Sequence, residues 1–172
     1  MKMEEKSVGI LIEDNYQELE FWYPYLRLQE EGIIPLIIGH EKKVYKSKLG
    51  YEAEADVVAK EVIEQQFDAI IIPGGYAPDK MRTHKSMLKI VKSNFDNGKI
   101  IAVVCHAAWV LVSADILTNK NVTCYHSIKD DVINAGANYI DQDVVIDGNI
   151  ITSRQPFDLP VFCKSIIEEL TR

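Results

Sequence analysis

The sequence predicts an α/β domain with a mainly parallel sheet, helices on both faces, and a cysteine, Cys105, on a sharp bend between a buried strand and a helix. Three observations carry this expectation. Apolar runs of strand length, at Val8–Glu13, Asp68–Pro73 and Lys99–Val104, alternate with segments of helical period. Those runs are apolar throughout rather than alternating, which is the mark of strands covered on two sides. Glycines and turn residues (Gly32, Gly74-Gly75, Asn97-Gly98, Gly136) punctuate the alternation where elements should end.

In chain order, Val8–Glu13 is a strand. Leu19, Trp22, Tyr23 and Leu26, at i, i+3, i+4 and i+7, mark an amphipathic helix that Gly32 closes. Ile33–Gly39 is a second buried strand. The stretch from Lys42 to Val58 reads as extended, with a hairpin as one way of closing it. Lys60–Gln66 reads as a short helix and Asp68–Pro73 as the third strand. Met87, Leu88, Val91 and Phe95 line another helix, followed by a strand over Lys99–Val104. A helix over Ala107–Leu117 carries no charge before Asp115, so it should be buried. Val122–Tyr125 reads as a strand and Ile128–Asn134 as a helix. Val144–Ile146 and Ile150–Ser153 flank Asp147-Gly148, which predicts a type I′ hairpin. Phe162, Ile166 and Leu170 line the last helix.

A chain of 172 residues with 47% hydrophobic and 26% charged residues fits one globular domain over 1–172. The net charge of −7 and the lack of a Lys/Arg run argue against nucleic acid. No apolar run approaches the roughly 20 residues that span a bilayer, and the first one is too short for a signal peptide, so no membrane is expected. Three widely spaced cysteines without CxxC fit a reducing, cytoplasmic compartment. No His/Cys spacing implies a metal, and no GxGxxG or Walker-type loop implies a nucleotide, so no cofactor is expected.

In parallel sheets the chemistry sits at the carboxyl ends of the strands, here after Glu13, after Pro73 and at Cys105. At Cys105 the bend strains the backbone, and the helix start beyond it offers free N–H groups that would lower the thiol pKa. A buried, inert cysteine fits the same bend. Gly74-Gly75 can direct successive N–H groups into one concavity, an oxyanion hole or merely a tight turn. Pro24 interrupts the first helix and leaves the Glu20 carbonyl without its donor. His40 and His84 read as surface residues, His126 as a strand-end residue for which the crevice is the lesser of two expectations, and Cys124 and Cys163 as buried and inert.

Several blocks together resemble the PfpI intracellular protease and protein deglycase family, of the class I glutamine amidotransferase-like superfamily. They run from Tyr23 to Gly32, Ile71 to Arg82, Val103 to His106, Ile128 to Ala137 and Ile151 to Pro156, so the likeness is spread over nearly the whole length of the chain. The resemblance implies a flavodoxin-like three-layer sandwich with a cysteine nucleophile elbow. It implies Cys105 as nucleophile and Glu20 as the carboxylate beside it. His106 matches the histidine after the nucleophile, and Asp79 an acidic residue, usually Glu, that reaches the histidine of a neighbouring subunit. Gly75 and Ala107, with Gly74 alongside, match oxyanion-hole positions, and Tyr125 a pocket tyrosine. The sequence departs from the family at Ala107-Ala108 (usually Gly-Pro), at the shorter Asp79, and at Gln17, where relatives often carry an acid.

The leading expectation is an enzyme of deglycase or glyoxalase type, acting on a small carbonyl with Glu20 as general acid/base. The resemblance also implies self-association as a homodimer or hexamer, and one alternative is a peptidase that such an assembly would complete, using Cys105, His106 and a neighbour's Asp79. Another is a redox sensor or chaperone that works through oxidation of Cys105.

Overall fold

The computed structural model describes residues 5–172. Its main sheet has seven strands. β1 (Val8–Ile12), β2 (Leu36–Gly39), β5 (Val57–Val58), β6 (Ala69–Ile72), β7 (Ile100–Val104) and β11 (Ile150–Ser153) run parallel, and β10 (Val144–Asp147) is antiparallel at one edge. The order is β10-β11-β7-β6-β1-β2-β5. Every residue of β1, β6 and β11 is buried, as continuous apolar strands require. Successive connections leave β1 toward β2 on one side and toward β6 on the other. The carboxyl ends of β1 and β6 therefore part at a switch point, where open α/β sheets form their crevice.

Helix α1 (Glu18–Glu30) packs with α6 (Leu159–Thr171), and α6 also lies against β7 and β11. Helix α3 (Lys85–Asp96) packs on β6 and β7, and the short α2 (Ala77–Met81) and α5 (Lys129–Asn134) flank α4 (Ala108–Ser113). Two smaller ladders complete the fold: β3 (Val44–Lys46) with β4 (Glu52–Glu54), the expected hairpin, and β8 (Asn121–Val122) with β9 (Asn138–Tyr139).

Helix α1 begins where the Gln17 side chain accepts the Glu20 N–H at 2.9 Å. It ends in a Schellman turn: Gly32, at φ 82°, donates to Gln29 O and Ile33 to Leu28 O, both at 3.0 Å. Its buried face differs from the expected one. Glu20, Phe21, Pro24 and Leu28 face inward, while Leu19 and Leu26 are 56% and 54% exposed. Two adjacent apolar stripes share this helix, and periodicity alone does not say which meets the sheet.

Other boundaries also moved. Lys60–Gln66 forms turns and bends rather than a helix, with three-residue bonds such as Gln65 N–H to Val62 O at 3.0 Å. Helix α4 stops at Ser113, and Asp115 turns the chain at φ 54°. Asp147 pairs with Ile150, so the hairpin loop is Gly148-Asn149; only Gly148 has positive φ, which makes the turn type II′. Beyond Val122 the chain leaves its ladder. Thr123 N–H bonds the Thr152 hydroxyl at 2.9 Å and Tyr125 N–H bonds the Cys105 carbonyl at 3.3 Å, which carries Tyr125 to the sheet's carboxyl edge.

Candidate active site

Cys105 follows β7 directly. Val104 is still extended at φ −129°, Cys105 swings to φ 62°, and a single 3-10 turn over Cys105–Ala107 leads into α4. Positive φ in a residue with a Cβ costs on the order of 1–3 kcal/mol, so the surroundings must impose it. Gly74 is part of that frame: a Cβ there would sit 2.8 Å from Cys105 Cβ and 2.6 Å from Glu20 Oε2. Only glycine lets the strand end approach the elbow this closely.

Glu20 comes to the same point from α1. It is fully buried, and its Oε2 accepts the Gly74 N–H at 2.8 Å. Its Oε1 is buried with no hydrogen-bond partner among the described residues. Burial raises its pKa from the ordinary 4.5 to about 7, against the pull of the Gly74 N–H and the Cys105 thiol. A carboxyl held near pH 7 can both donate and accept a proton.

Burial and the neighbouring Glu20 carboxylate push the Cys105 thiol up, while the His106 and Gly75 N–H groups pull it down. This corrects the expectation of a thiol acidified by its helix start, which counted the donors and not the burial, since Cys105 is only 7% exposed. Each group thus shifts the other. When Glu20 holds its proton, its charge no longer opposes the thiolate and its O–H becomes a donor to sulfur.

His106 completes the reactive cluster. Its Nδ1 lies 3.1 Å from Cys105 Sγ, so these adjacent residues do meet, which the sequence left open. The ring stacks on Tyr125 at 4.9 Å, meets Trp109 edge-on at 5.3 Å, and places Nε2 3.1 Å from Ser127 Oγ. Burial, then the charge of Lys48, lower its pKa, so the ring is neutral at pH 7 and free to accept a proton.

A strained cysteine at the sheet's carboxyl edge, between a buried carboxyl and an imidazole, occurs in a chain whose residues 6–169 match the model of the DJ-1/PfpI family. The chain belongs to this family. It is 39% identical to Deglycase PfpI of Pyrococcus furiosus over 164 residues, covering 95% of this chain and 99% of that one. It is 33% identical to Protein/nucleic acid deglycase 2 of Escherichia coli, covering 96% and 98%. Among solved structures it superposes on Drosophila melanogaster DJ-1beta with a TM-score of 0.91 at 29% identity, covering 96% of this chain and 90% of that one. The flavodoxin-like layout and the elbow position of Cys105 are those of DJ-1/PfpI proteins.

Within this DJ-1/PfpI site the remaining residues named from sequence fall as follows. Gly74 spends its N–H on Glu20, which leaves Gly75 and His106 as the backbone donors directed at sulfur. Ala107 is fully buried behind the elbow. Tyr125 forms one wall beside His106, with the exposed His126 tilted against it at 4.3 Å. Asp79 stands exposed on α2, and within the chain His106 Nε2 is taken by Ser127 instead. Cys124 and Cys163 are buried, and burial pushes both thiols up to about 12. Burial raises all three thiols, so exposure decides between them: Cys105 is 7% exposed against 1% for Cys124 and 3% for Cys163, and brief alkylation of the native protein should modify Cys105 first, read by peptide mass mapping. Earlier labelling of Cys124 or Cys163 would mean the crevice is not the accessible thiol site.

Three features had no sequence signal. Ser127 is an unremarkable serine until the fold sets it beside His106. Lys48 reaches the site electrostatically from the turn between β3 and β4. His40 and His84, read as surface residues, are half-buried and stacked at 3.7 Å, and His84 Nε2 lies 3.3 Å from the buried Glu13. They come from the ends of separate elements, and only the sheet order makes them neighbours.

Proposed function

We propose that the protein is a cysteine-dependent enzyme that acts on reactive carbonyls, or on the adducts they leave on proteins, in the manner of a deglycase or glyoxalase. The observation that carries this reading is the buried Glu20 carboxyl, held near pH 7 against the Cys105 thiol. The relatives named as deglycases support it.

For a 2-oxoaldehyde the chemistry balances without a redox partner. The thiolate bonds to the aldehyde carbon and the carbonyl oxygen takes up the proton, giving a hemithioacetal. Glu20 removes the hydrogen on that carbon and returns a proton to the adjacent ketone carbon, while the hydroxyl proton passes between the two oxygens. The product is a 2-hydroxyacyl thioester. Water hydrolyses it to the hydroxy acid and the free thiol. Glu20 serves as base and then acid, a cycle suited to a pKa near the working pH.

The 3.1 Å contact between Cys105 Sγ and His106 Nδ1 favours a second reading, a peptidase in which His106 takes the thiol proton. Asp79 of a neighbouring copy would then approach His106, and the exposed Leu19, Tyr23 and Leu26 of α1 give a homodimer or larger ring an apolar face to bury.

Methylglyoxal and a fluorogenic peptide, each offered to the wild type, Cys105→Ala and Asp79→Ala, with light scattering for assembly, separate these readings. Methylglyoxal turnover should survive Asp79→Ala and vanish in Cys105→Ala; turnover retained without Cys105 would overturn the proposal. Peptide cleavage lost in Asp79→Ala supports the shared peptidase site, and cleavage by a monomer rules it out. Oxidation of Cys105 with neither turnover would replace both enzymes by a redox sensor.

A further inference from the structure

We infer that Ser127 is a positioning residue for His106, holding the imidazole so that Nδ1 rather than a ring carbon faces the Cys105 sulfur. The inference rests on the reading of Cys105 as nucleophile but not on any particular substrate. Two distances carry it: Cys105 Sγ to His106 Nδ1 and His106 Nε2 to Ser127 Oγ, each 3.1 Å.

The aromatic neighbours of His106 cannot do this. Tyr125 stacks on the ring and Trp109 meets its edge, so together they fix the plane of the imidazole. A ring flipped by 180° about Cβ–Cγ lies in the same plane and keeps both contacts. The flip replaces Nδ1 by Cδ2 at the sulfur and Nε2 by Cε1 at Ser127, so both polar contacts are lost together. The serine hydroxyl, at the far end of the ring, separates the two orientations. It also accepts from Nε2–H in the tautomer whose Nδ1 is free to take the thiol proton, and in the imidazolium that follows.

The hydroxyl is tied to the elbow by short links. Ser127 lies on the 3-10 turn His126–Ile128, in which Ile128 is buried and its N–H bonds Tyr125 O at 3.1 Å. Tyr125 N–H in turn bonds the carbonyl of Cys105 itself at 3.3 Å. The nucleophile and the group that orients its base thus sit two hydrogen bonds apart. As a neutral acceptor, Ser127 directs the ring without adding the negative charge that a carboxylate would bring.

The test uses the intact protein and needs no turnover. Imidazole nitrogen and proton NMR reports the His106 tautomer at pH 8, and the rate of Cys105 alkylation by iodoacetamide at pH 7 reports the state of the thiol. In the wild type the His106 signal should be that of the Nε2–H form. Ser127→Ala should mix the tautomers and slow alkylation about tenfold, with an unchanged Tm because Ser127 is exposed. Ser127→Thr, which keeps the hydroxyl, should restore both readouts to within about twofold, and Ser127→Asp should raise the His106 titration midpoint. Unchanged tautomer and alkylation in Ser127→Ala, or a Ser127→Thr variant as impaired as Ser127→Ala, would overturn the inference. Turnover retained in Cys105→Ala would instead overturn the nucleophile reading, so the two failures are distinguishable.

Discussion

Glu20→Gln should lower turnover by a factor on the order of 100 or more and at the same time make the protein more stable above pH 7. The glutamine keeps the shape of the side chain and an oxygen for the Gly74 N–H, but it cannot carry a proton between carbons. The stability change follows from linkage. Glu20 titrates at about 7 when folded and near 4.5 when unfolded, so the folded state holds its proton more tightly. That contribution is fully present below about 4.5 and is lost as pH rises through about 7. Above pH 7 the wild type carries a buried carboxylate whose cost, from the gap between the two pKa values, is about 3 kcal/mol at most. The variant escapes that cost, so its Tm should exceed that of the wild type by several degrees at pH 8 and match it more closely at pH 4.5. Thermal melts at the two pH values and one activity assay check both halves. A variant with wild-type turnover, or one less stable at pH 8 than at pH 4.5 relative to wild type, would remove Glu20 from the proton path.

Gly75→Ala should be the most damaging single methyl in the structure. Gly75 sits at φ 81°, and a Cβ there would lie 2.6 Å from both Asn15 O and Gln17 N. Those are backbone atoms, and they belong to an interlocked pair of turns. Tyr76 N–H bonds Asn15 O at 2.9 Å and Gln17 N–H bonds Gly74 O at 3.2 Å, so neither turn can yield alone. Strain and displacement together should cost about 3 kcal/mol or more, a Tm drop of roughly 6–12 °C for a chain of this size. Turnover should fall with it, because Gln17 caps the helix that presents Glu20 and Gly75 N–H faces the sulfur. Gly50→Ala is the control. Gly50 also has positive φ, at 90°, but a Cβ there meets nothing within 4 Å among the described residues, so only the backbone preference is lost, about 1 kcal/mol. Equal Tm losses in the two variants would show that close packing at Gly75 contributes nothing.

Local chemistry decides much of this protein. The apolar runs at Val8, Ala69 and Ile100 had to become covered parallel strands, because each lacks the polar alternation of a solvated face. Cys105, at the end of such a run with a helix to follow, had to sit on a strained bend at the reactive edge of the sheet, and Gly32 had to end the first helix. Whatever depended on long-range contact was decided only by the tertiary structure. Which apolar stripe of α1 faces the sheet follows from its packing against the core and α6, so Glu20 went inward while Leu19 and Leu26 stayed out. The proton affinities followed suit. The helix start argues for an acidic thiol, but the burial of Cys105 and the carboxyl of Glu20, from an element 85 residues away, push the other way. Ser127 gained its place beside His106 only when the chain beyond Val122 left its strand to bond Thr152 and Cys105. A sequence encodes its own turns and periods locally, whereas burial, charge pairing and the choice between equivalent faces are sums over neighbours that only the folded chain brings together.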